Sequence, residues 1–160
     1  MKAQVFSFDL MIGMVIFFSV FGFIIFVWDY VEKEITYVET RSFLEYSSIN
    51  TADMLTNTGG SPNNWTIEHY YYLGLASSKK TLSEDKVDRF LSYCLSNYTS
   101  IKDAVSLSLF NFEWDLSYPN GTIIKKFERL RRSAEELSTQ KRYVYYNQQP
   151  AVFTLRVWKK

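Results

Sequence analysis

The sequence has little of what builds a metal centre, a disulfide framework or a nucleophilic active site. Cys94 is the only cysteine and His69 the only histidine among 160 residues. A single cysteine excludes a disulfide within the chain, and one thiol with one imidazole cannot make a thiolate or histidine-rich metal site. Gly-rich phosphate loops, nucleophile elbows and haem-attachment motifs are also missing. We therefore expect no metal, no cofactor and no enzymatic activity, with Cys94 buried as a small apolar residue and His69 at a surface or interface.

The chain also lacks an excess of charge of either sign. It carries 18 basic and 17 acidic side chains, a formal net charge of +1, which does not favour nucleic acid or an acidic ligand as partner. A basic run near the C-terminus could touch nucleic acid, but glutamates are interleaved with it, a pattern typical of a solvated face. The run consists of Lys125, Lys126, Arg129, Arg131 and Arg132, and the glutamates are Glu128, Glu135 and Glu136.

No charged side chain occurs over the nineteen positions of residues 10–28, and most of these residues are apolar. As a helix, this stretch is about 28 Å long, close to the hydrocarbon thickness of a bilayer. The alternative is a buried helix of a soluble protein, but the 132 residues that follow are too few and too polar to surround it. Lys2 precedes the stretch and Asp29 and Glu32 follow it, a weak bias that places the N-terminus in the cytoplasm and the bulk of the chain outside.

The apolar stretch differs from a secretory signal peptide in two respects. It is longer than the usual 7 to 15 residues, and no small-residue cleavage site follows it, since residues 28–32 read WDYVE. The helical pattern instead continues to the breaker cluster NTGGSPN at residues 57–63. We predict one helix over residues 6–57, with an outer apolar stripe formed by Val31, Ile35, Val38, Ser42, Tyr46, Ile49 and Ala52, widened by Phe43, Leu44, Met54 and Leu55. Gly13 and Gly22 inside the apolar half mark close helix packing or are incidental.

The first ten residues, MKAQVFSFDL, followed at once by the apolar helix, resemble the class III signal of archaeal type IV pilin-like proteins. The resemblance implies a leader of residues 1–3 with Lys2 as its basic residue. A prepilin peptidase would then cut between Ala3 and Gln4, leaving the helix on the mature subunit. Asp9 would be the acidic residue near the start of the mature helix, although it lies five residues after Gln4 where the family pattern has four.

Asp9 also has a role on physical grounds. A carboxylate at a helix start is stabilised by the helix dipole, but one so near hydrocarbon is costly unless it is paired. In a filament the partner would be the free amino group of Gln4 on a neighbouring subunit. The alternative is a carboxylate that caps its own helix at the membrane interface.

A second, looser resemblance to the outer domains of archaeal pilin-like proteins lies downstream. It consists of GGSPNNWT at residues 59–66, LGLAS at residues 73–77, Lys86, and NYTSIK at residues 97–102. Three Asn-x-Thr sequons, at Asn64, Asn97 and Asn120, are candidates for N-glycosylation and agree with an exported glycoprotein.

The C-terminal part of the chain reads as helices followed by strands. We predict a helix over residues 84–96, started by a capping box of Thr81 and Glu84, and a shorter one over residues 99–105. Alternation predicts strands at 110–117 and 122–129 around a Tyr118–Gly121 turn, and a second hairpin of 142–146 and 151–158 around residues 147–150. Residues 130–140 read as a polar linker. The expected fold is α+β: a long N-terminal transmembrane and stalk helix (residues 4–57), then a head (residues 58–160) with an antiparallel sheet of about four strands, as in the lollipop of type IV pilins.

These features predict a pilin-like structural subunit of a type IV pilus-like filament or pseudopilus on the cell surface. The expected partners are membrane lipid, the prepilin peptidase and other pilin-like subunits, with surface glycans as a further partner if the subunit is adhesive. Tyr70, Tyr71, Tyr72, Tyr143, Tyr145 and Tyr146 either fill a small core and its rim or contact other subunits, a surface or glycans. The alternative function is a membrane-tethered extracellular adhesin or sensor that does not polymerise.

Overall fold

A computed structural model describes residues 2–129 and 136–159, with side chains described from Phe8 onward. The chain forms two compact units, Met1–Thr40 and Arg41–Lys160. The first unit is helical from Lys2 onward, and the second combines helices with a six-stranded sheet. The predicted α+β class, with a long apolar N-terminal helix and a C-terminal sheet that is mostly antiparallel, is confirmed.

The N-terminal helix, α1, runs over Lys2–Asn57. It ends at Asn57, as predicted. The amide of Thr58 donates the last helical hydrogen bond, to the Met54 carbonyl at 3.2 Å, and Gly60 then takes φ of +79°. The helix begins four residues before the predicted Phe6.

Two hydroxyls within the first unit bond back to their own helix: Ser19 Oγ to the Val15 carbonyl at 2.7 Å and Thr36 Oγ1 to the Glu32 carbonyl at 2.9 Å. These polar side chains therefore continue the helix without leaving an unpaired hydroxyl.

The remaining elements in chain order are β1 (Ala76–Ser78), β2 (Thr81–Leu82), α2 (Glu84–Ser96), α3 (Tyr98–Ala104), β3 (Asn111–Ser117), β4 (Ile123–Phe127), β5 (Leu137–Tyr146) and β6 (Gln149–Trp158). The sheet order is β1-β2-β5-β6-β3-β4. All neighbours are antiparallel except β2 and β5, which run parallel with Thr81 opposite Tyr145. The prediction of about four strands was too low, because β1 and β2 are too short to show a period.

The second unit's part of α1 packs on the sheet through a face that is partly polar. Ser48 Oγ lies 2.7 Å from Ser138 Oγ of β5, and Thr51 Oγ1 donates to the Val105 carbonyl at 2.9 Å. The predicted stripe is confirmed for Leu44, Ala52 and Leu55, which are buried, and is wrong for Phe43 and Tyr46, which are exposed. Small hydroxyl side chains complete the buried face, because they allow the helix to approach the strands closely. The buried residues of this stretch are Leu44, Ser47, Ser48, Thr51, Ala52, Leu55 and Thr56.

The predicted capping box at the start of α2 is also wrong. Thr81 lies in β2, and the N-cap residue is Ser83, whose side chain makes no capping hydrogen bond. Leu82 between them is buried. The chain therefore enters α2 directly from a strand that the sheet holds, and Glu84 and Asp85 in the first turn supply the favourable charge.

Both predicted hairpins are present. The amide of Gly121 donates to the Tyr118 carbonyl at 2.9 Å in the first turn, and Asn147 and Gln148 adopt φ of 48° and 62° in the second, as a two-residue hairpin turn requires. The predicted linker extended too far, because β5 begins at Leu137; residues 130–135 lie outside the described residues. Alternation in this strand was hidden because the side chains facing α1 are polar: Ser138, Gln140 and Arg142.

The core lies between one face of the sheet and the helices α2, α3 and the end of α1. Phe90 of α2 packs on Trp114 of β3, with ring centroids 5.6 Å apart, and Trp114 packs in turn on Phe153 of β6 at 5.8 Å. These side chains are at most 1% exposed. The sheet domain therefore has its own hydrophobic core.

Candidate functional site

The apolar half of α1 is exposed on every side. Phe23 and Phe26 are each 67% exposed and Trp28 is 72% exposed. Among the described residues, this is the one helix that is long and apolar enough to cross a membrane. Burying a large apolar side chain is worth about 1.5–3 kcal/mol, so this surface favours an apolar environment over water.

The residues predicted for processing and assembly lie at the start of this helix. Ala3 and Gln4 have helical backbone, but their side chains are outside the described ones. Asp9 is the first charged residue whose side chain is described, and it is exposed. At the other end of the apolar stretch, Asp29 pairs with Lys33 at 2.6 Å.

Three of the four parts of the second resemblance, residues 59–66, residues 73–77 and Lys86, meet in one structural cluster of the sheet domain. Lys86 Nζ donates to the carbonyl of Gly59 at 2.8 Å, to Oδ1 of Asn63 at 2.6 Å and to the carbonyl of Ala76 at 3.1 Å. Its ammonium thus ties α2 to the breaker cluster and to β1. Burial, and then the nearby Arg89, lower the pKa of Lys86 below its ordinary value.

Trp65 and Gly74 form the second half of this cluster. The Trp65 indole N–H donates to the Gly74 carbonyl at 2.8 Å, and Trp65 is completely buried. A Cβ at Gly74 would overlap backbone atoms of Thr58 and Gly60. The two backbone segments can therefore approach each other this closely only because residue 74 is glycine. This stretch therefore has a structural role that sequence reasoning did not assign to it.

The three sequon asparagines are all exposed on the surface of the sheet domain. Oδ1 of Asn64 accepts a hydrogen bond from Arg89 Nη1 at 3.1 Å, and Oδ1 of Asn97 accepts one from Ser100 Oγ at 2.9 Å. Oδ1 of Asn120 accepts from the amide of Thr122 at 3.0 Å in an Asx turn. In each of these hydrogen bonds the asparagine accepts through its oxygen, and its amide nitrogen, to which a glycan would be linked, is not involved.

The single histidine and the single cysteine differ in their exposure to solvent. His69 is exposed, as predicted, whereas Cys94 is only 1% exposed, and its burial raises the pKa of the thiol to about 12. Such a thiol is almost entirely protonated at neutral pH and is inert. Within residues 2–129 and 136–159, no group of three or more His, Cys, Asp or Glu side chains comes together in a way that could hold a metal ion.

The described part of the basic run is engaged in separate local contacts. Lys125 pairs with Asp88 at 2.6 Å, Lys126 pairs with Glu128 at 3.0 Å, and the Arg129 guanidinium lies 3.8 Å from the centroid of the Tyr98 ring. Arg131, Arg132 and Glu135 lie outside the described residues. Each of the three described cations therefore has a partner of its own on the surface of the sheet domain.

The tyrosines divide between core and surface. Tyr146 is 2% exposed and belongs to the core. Tyr70 is partly buried and packs against this core. Tyr71 is 86% exposed, Tyr143 is 79% exposed and Tyr145 is 55% exposed. The core interpretation is therefore confirmed for Tyr146, and contact of the exposed tyrosines with other subunits, a surface or glycans stays a prediction.

Sequence reasoning missed a cleft beside Tyr143. It has a volume of about 640 Å³ and is lined by side chains from the β1–β2 turn, from β5 and from the last turns of α1, among them Lys79, Lys80, Lys141, Arg142, Tyr143 and Asp53. The two lysines and the Lys141–Arg142 pair are about sixty residues apart in the chain. Only the parallel pairing of β2 with β5 brings them together, so no local sequence signal indicates the cleft.

No protein-family model, curated protein or solved structure matches this chain.

Proposed function

We propose that the chain is a pilin-like structural subunit, without enzymatic activity, of a type IV pilus-like filament or pseudopilus. The helix first anchors the precursor in the membrane, with its N-terminus in the cytoplasm and the sheet domain outside. A prepilin peptidase removes residues 1–3. The released subunits then assemble through the apolar helix into a filament on the cell surface.

The observation that carries this proposal is the exposed apolar surface of residues 8–28, which belongs to a helix extending unbroken to Asn57. An isolated membrane anchor needs lipid around it and no more. This helix instead continues to Asn57, and its last turns contribute buried residues such as Ala52 and Leu55 to the core of the sheet domain. The resemblance of residues 1–4 to a prepilin peptidase site, and Asp9, support the same proposal.

A first experiment identifies the N-terminus of the protein purified from cells that carry a prepilin peptidase. Mass spectrometry is expected to find Gln4 as the first residue. An intact Met1, or a chain that begins after Trp28, would contradict the processing step.

A second experiment tests the role of Asp9 in assembly. We expect Asp9→Ala to remain in the membrane and to lose surface filaments, because the amino group of Gln4 on a neighbouring subunit loses its carboxylate partner in an apolar environment. Asp29→Ala is the matched control, since Asp29 already pairs with Lys33 of its own helix, and it should assemble normally. Filaments are counted by electron microscopy after shearing.

The second candidate function, a tethered binding domain that does not polymerise, is favoured by the exposed rings of Tyr71 and Tyr143. Exposed aromatic residues are characteristic of protein and glycan contacts. In that case Asp9→Ala would leave surface exposure and adhesion unchanged, and no filament containing this chain would be found.

A further inference from the structure

The cleft beside Tyr143 is lined mainly by positively charged side chains. Among residues 2–129 and 136–159, no carboxylate lies within ion-pair distance of the Lys79, Lys80 or Lys141 ammonium group. Arg142 is different, because its Nε lies 2.7 Å from Oδ1 of Asp53. Four cations and one carboxylate give the cleft a net charge of +3.

Backbone contacts hold the two segments that carry these cations next to each other. Lys80 adopts φ of 61° in the β1–β2 turn, and its carbonyl accepts a hydrogen bond from the Tyr145 amide at 2.7 Å. The turn is thereby fastened to β5, the strand that carries Lys141 and Arg142. Bringing like charges together is unfavourable, so the cluster costs stability unless an anion occupies the cleft.

The same chain contains a segment of opposite charge. Residues 29–40 of α1 carry Asp29, Glu32, Glu34 and Glu39 against the single Lys33, a net charge of −3. Asp29 pairs with Lys33, and the three glutamates are exposed. Residues 41–160 carry sixteen basic and twelve acidic side chains, a net charge of +4. The two units of the chain are therefore oppositely charged.

We propose that the cleft binds the acidic segment of α1, Glu32 to Glu39, from a second copy of this chain. Glu32 and Glu39 are seven residues apart, about 10.5 Å along the helix axis, and share one face. Two different surfaces meet in this contact, so in a pair of copies one copy still has a free acidic segment and the other a free cleft. Contacts of this heterologous kind extend into open helical filaments unless their rotation happens to close a ring.

This inference rests on the proposed assembly into filaments and adds to it the contact that orders neighbouring sheet domains. The apolar helices supply most of the buried surface but little directional information. A charged cleft and a charged helix face would set which part of one copy lies against the next.

The test is a charge exchange in the full-length chain. Lys79→Glu with Lys80→Glu reverses the cleft, and Glu32→Lys with Glu39→Lys reverses the helix face. We expect each pair alone to lower the filament yield at least about tenfold, since juxtaposed like charges oppose association. All four substitutions together should restore it to within about twofold. Lys126→Glu with Lys159→Glu is the matched control, with the same change in net charge at exposed lysines outside the cleft, and it should assemble as the wild type does.

The outcomes separate this inference from the proposed function. If the wild-type chain forms filaments and both reversed pairs do so equally well, the cleft contact is wrong and filament assembly stands. If the cleft pair loses filaments or adhesion, but the helix pair has no effect and the combination does not rescue, the cleft binds another anion, such as a lipid headgroup or an acidic glycan, and the inference is overturned. A wild-type chain that forms no filaments overturns both.

Discussion

The ammonium nitrogen of Lys86 lies 2.6 Å from Oδ1 of Asn63 and joins the first turn of α2 to the breaker cluster that follows α1. The same nitrogen donates to two backbone carbonyls, Gly59 and Ala76. All three donors of the ammonium are thereby used, and Lys86 is 8% exposed. A buried cation with a full set of acceptors holds the loop in one conformation.

Lys86→Met should therefore destabilise the sheet domain. Methionine retains the length of the side chain but leaves the three acceptors without their donor, and an orphaned buried group costs about 1–3 kcal/mol. We expect the free energy of unfolding, measured by urea denaturation in detergent, to fall by about 2–3 kcal/mol. Lys126→Met removes an exposed lysine with one carboxylate partner and should change it by less than about 1 kcal/mol. Equal effects of the two substitutions would contradict the structural role of Lys86.

Gly74→Ala is expected to be destabilising by about 1–3 kcal/mol or more, the usual range for overpacking. The added methyl group would meet the carbonyl of Thr58 and the amide of Gly60, which are backbone atoms and cannot rotate away. Gly13→Ala is the control, because nothing lies within 4 Å of a Cβ at that position. Thermal unfolding of the sheet domain by circular dichroism should show a lowered midpoint for Gly74→Ala only, and an unchanged midpoint there would refute the close approach.

Asn97 has two roles that substitution can separate, because it caps α3 and is also the acceptor of a sequon. Asn97→Ala removes both, and loss of an N-cap costs about 1 kcal/mol. Thr99→Ala removes only the sequon. If a glycan is attached, both variants lose its mass by intact-protein mass spectrometry, but only Asn97→Ala should lose stability. Equal stability of the two variants would show that the cap contributes nothing.

The long helix was predictable because its causes are local. Nineteen positions without charge, and the lack of any proline before Pro62, determine an apolar helix whatever surrounds it. The hairpin turns are local as well, since Gly121 and Asn147 are residue types that tolerate positive φ. The helix α2 was recognised from the spacing of Val87, Phe90 and Cys94, all of which are buried.

What failed were predictions that depended on a partner element. The strand β5 begins at Leu137, earlier than predicted. Its first residues were not recognised as a strand, because Ser138 and Gln140 contact the Ser48 hydroxyl of α1 and the buried side of the strand is therefore polar there. The buried face of α1 contains Ser47, Ser48 and Thr51 for the same reason. Thr81 resembled a helix cap but lies in β2, since its backbone pairs with Tyr145.

The sequence by itself determined a membrane-capable helix followed by an α+β domain, because hydrophobicity, helix propensity and turn chemistry act over a few neighbouring residues. The tertiary structure alone decided that Lys79 and Lys80 lie beside Lys141 and Arg142 in one cleft, and that Gly59, Asn63 and Ala76 surround Lys86. Such groupings arise when strands pair and helices pack across long separations in the chain, and short-range patterns carry no record of which distant segment will be the partner.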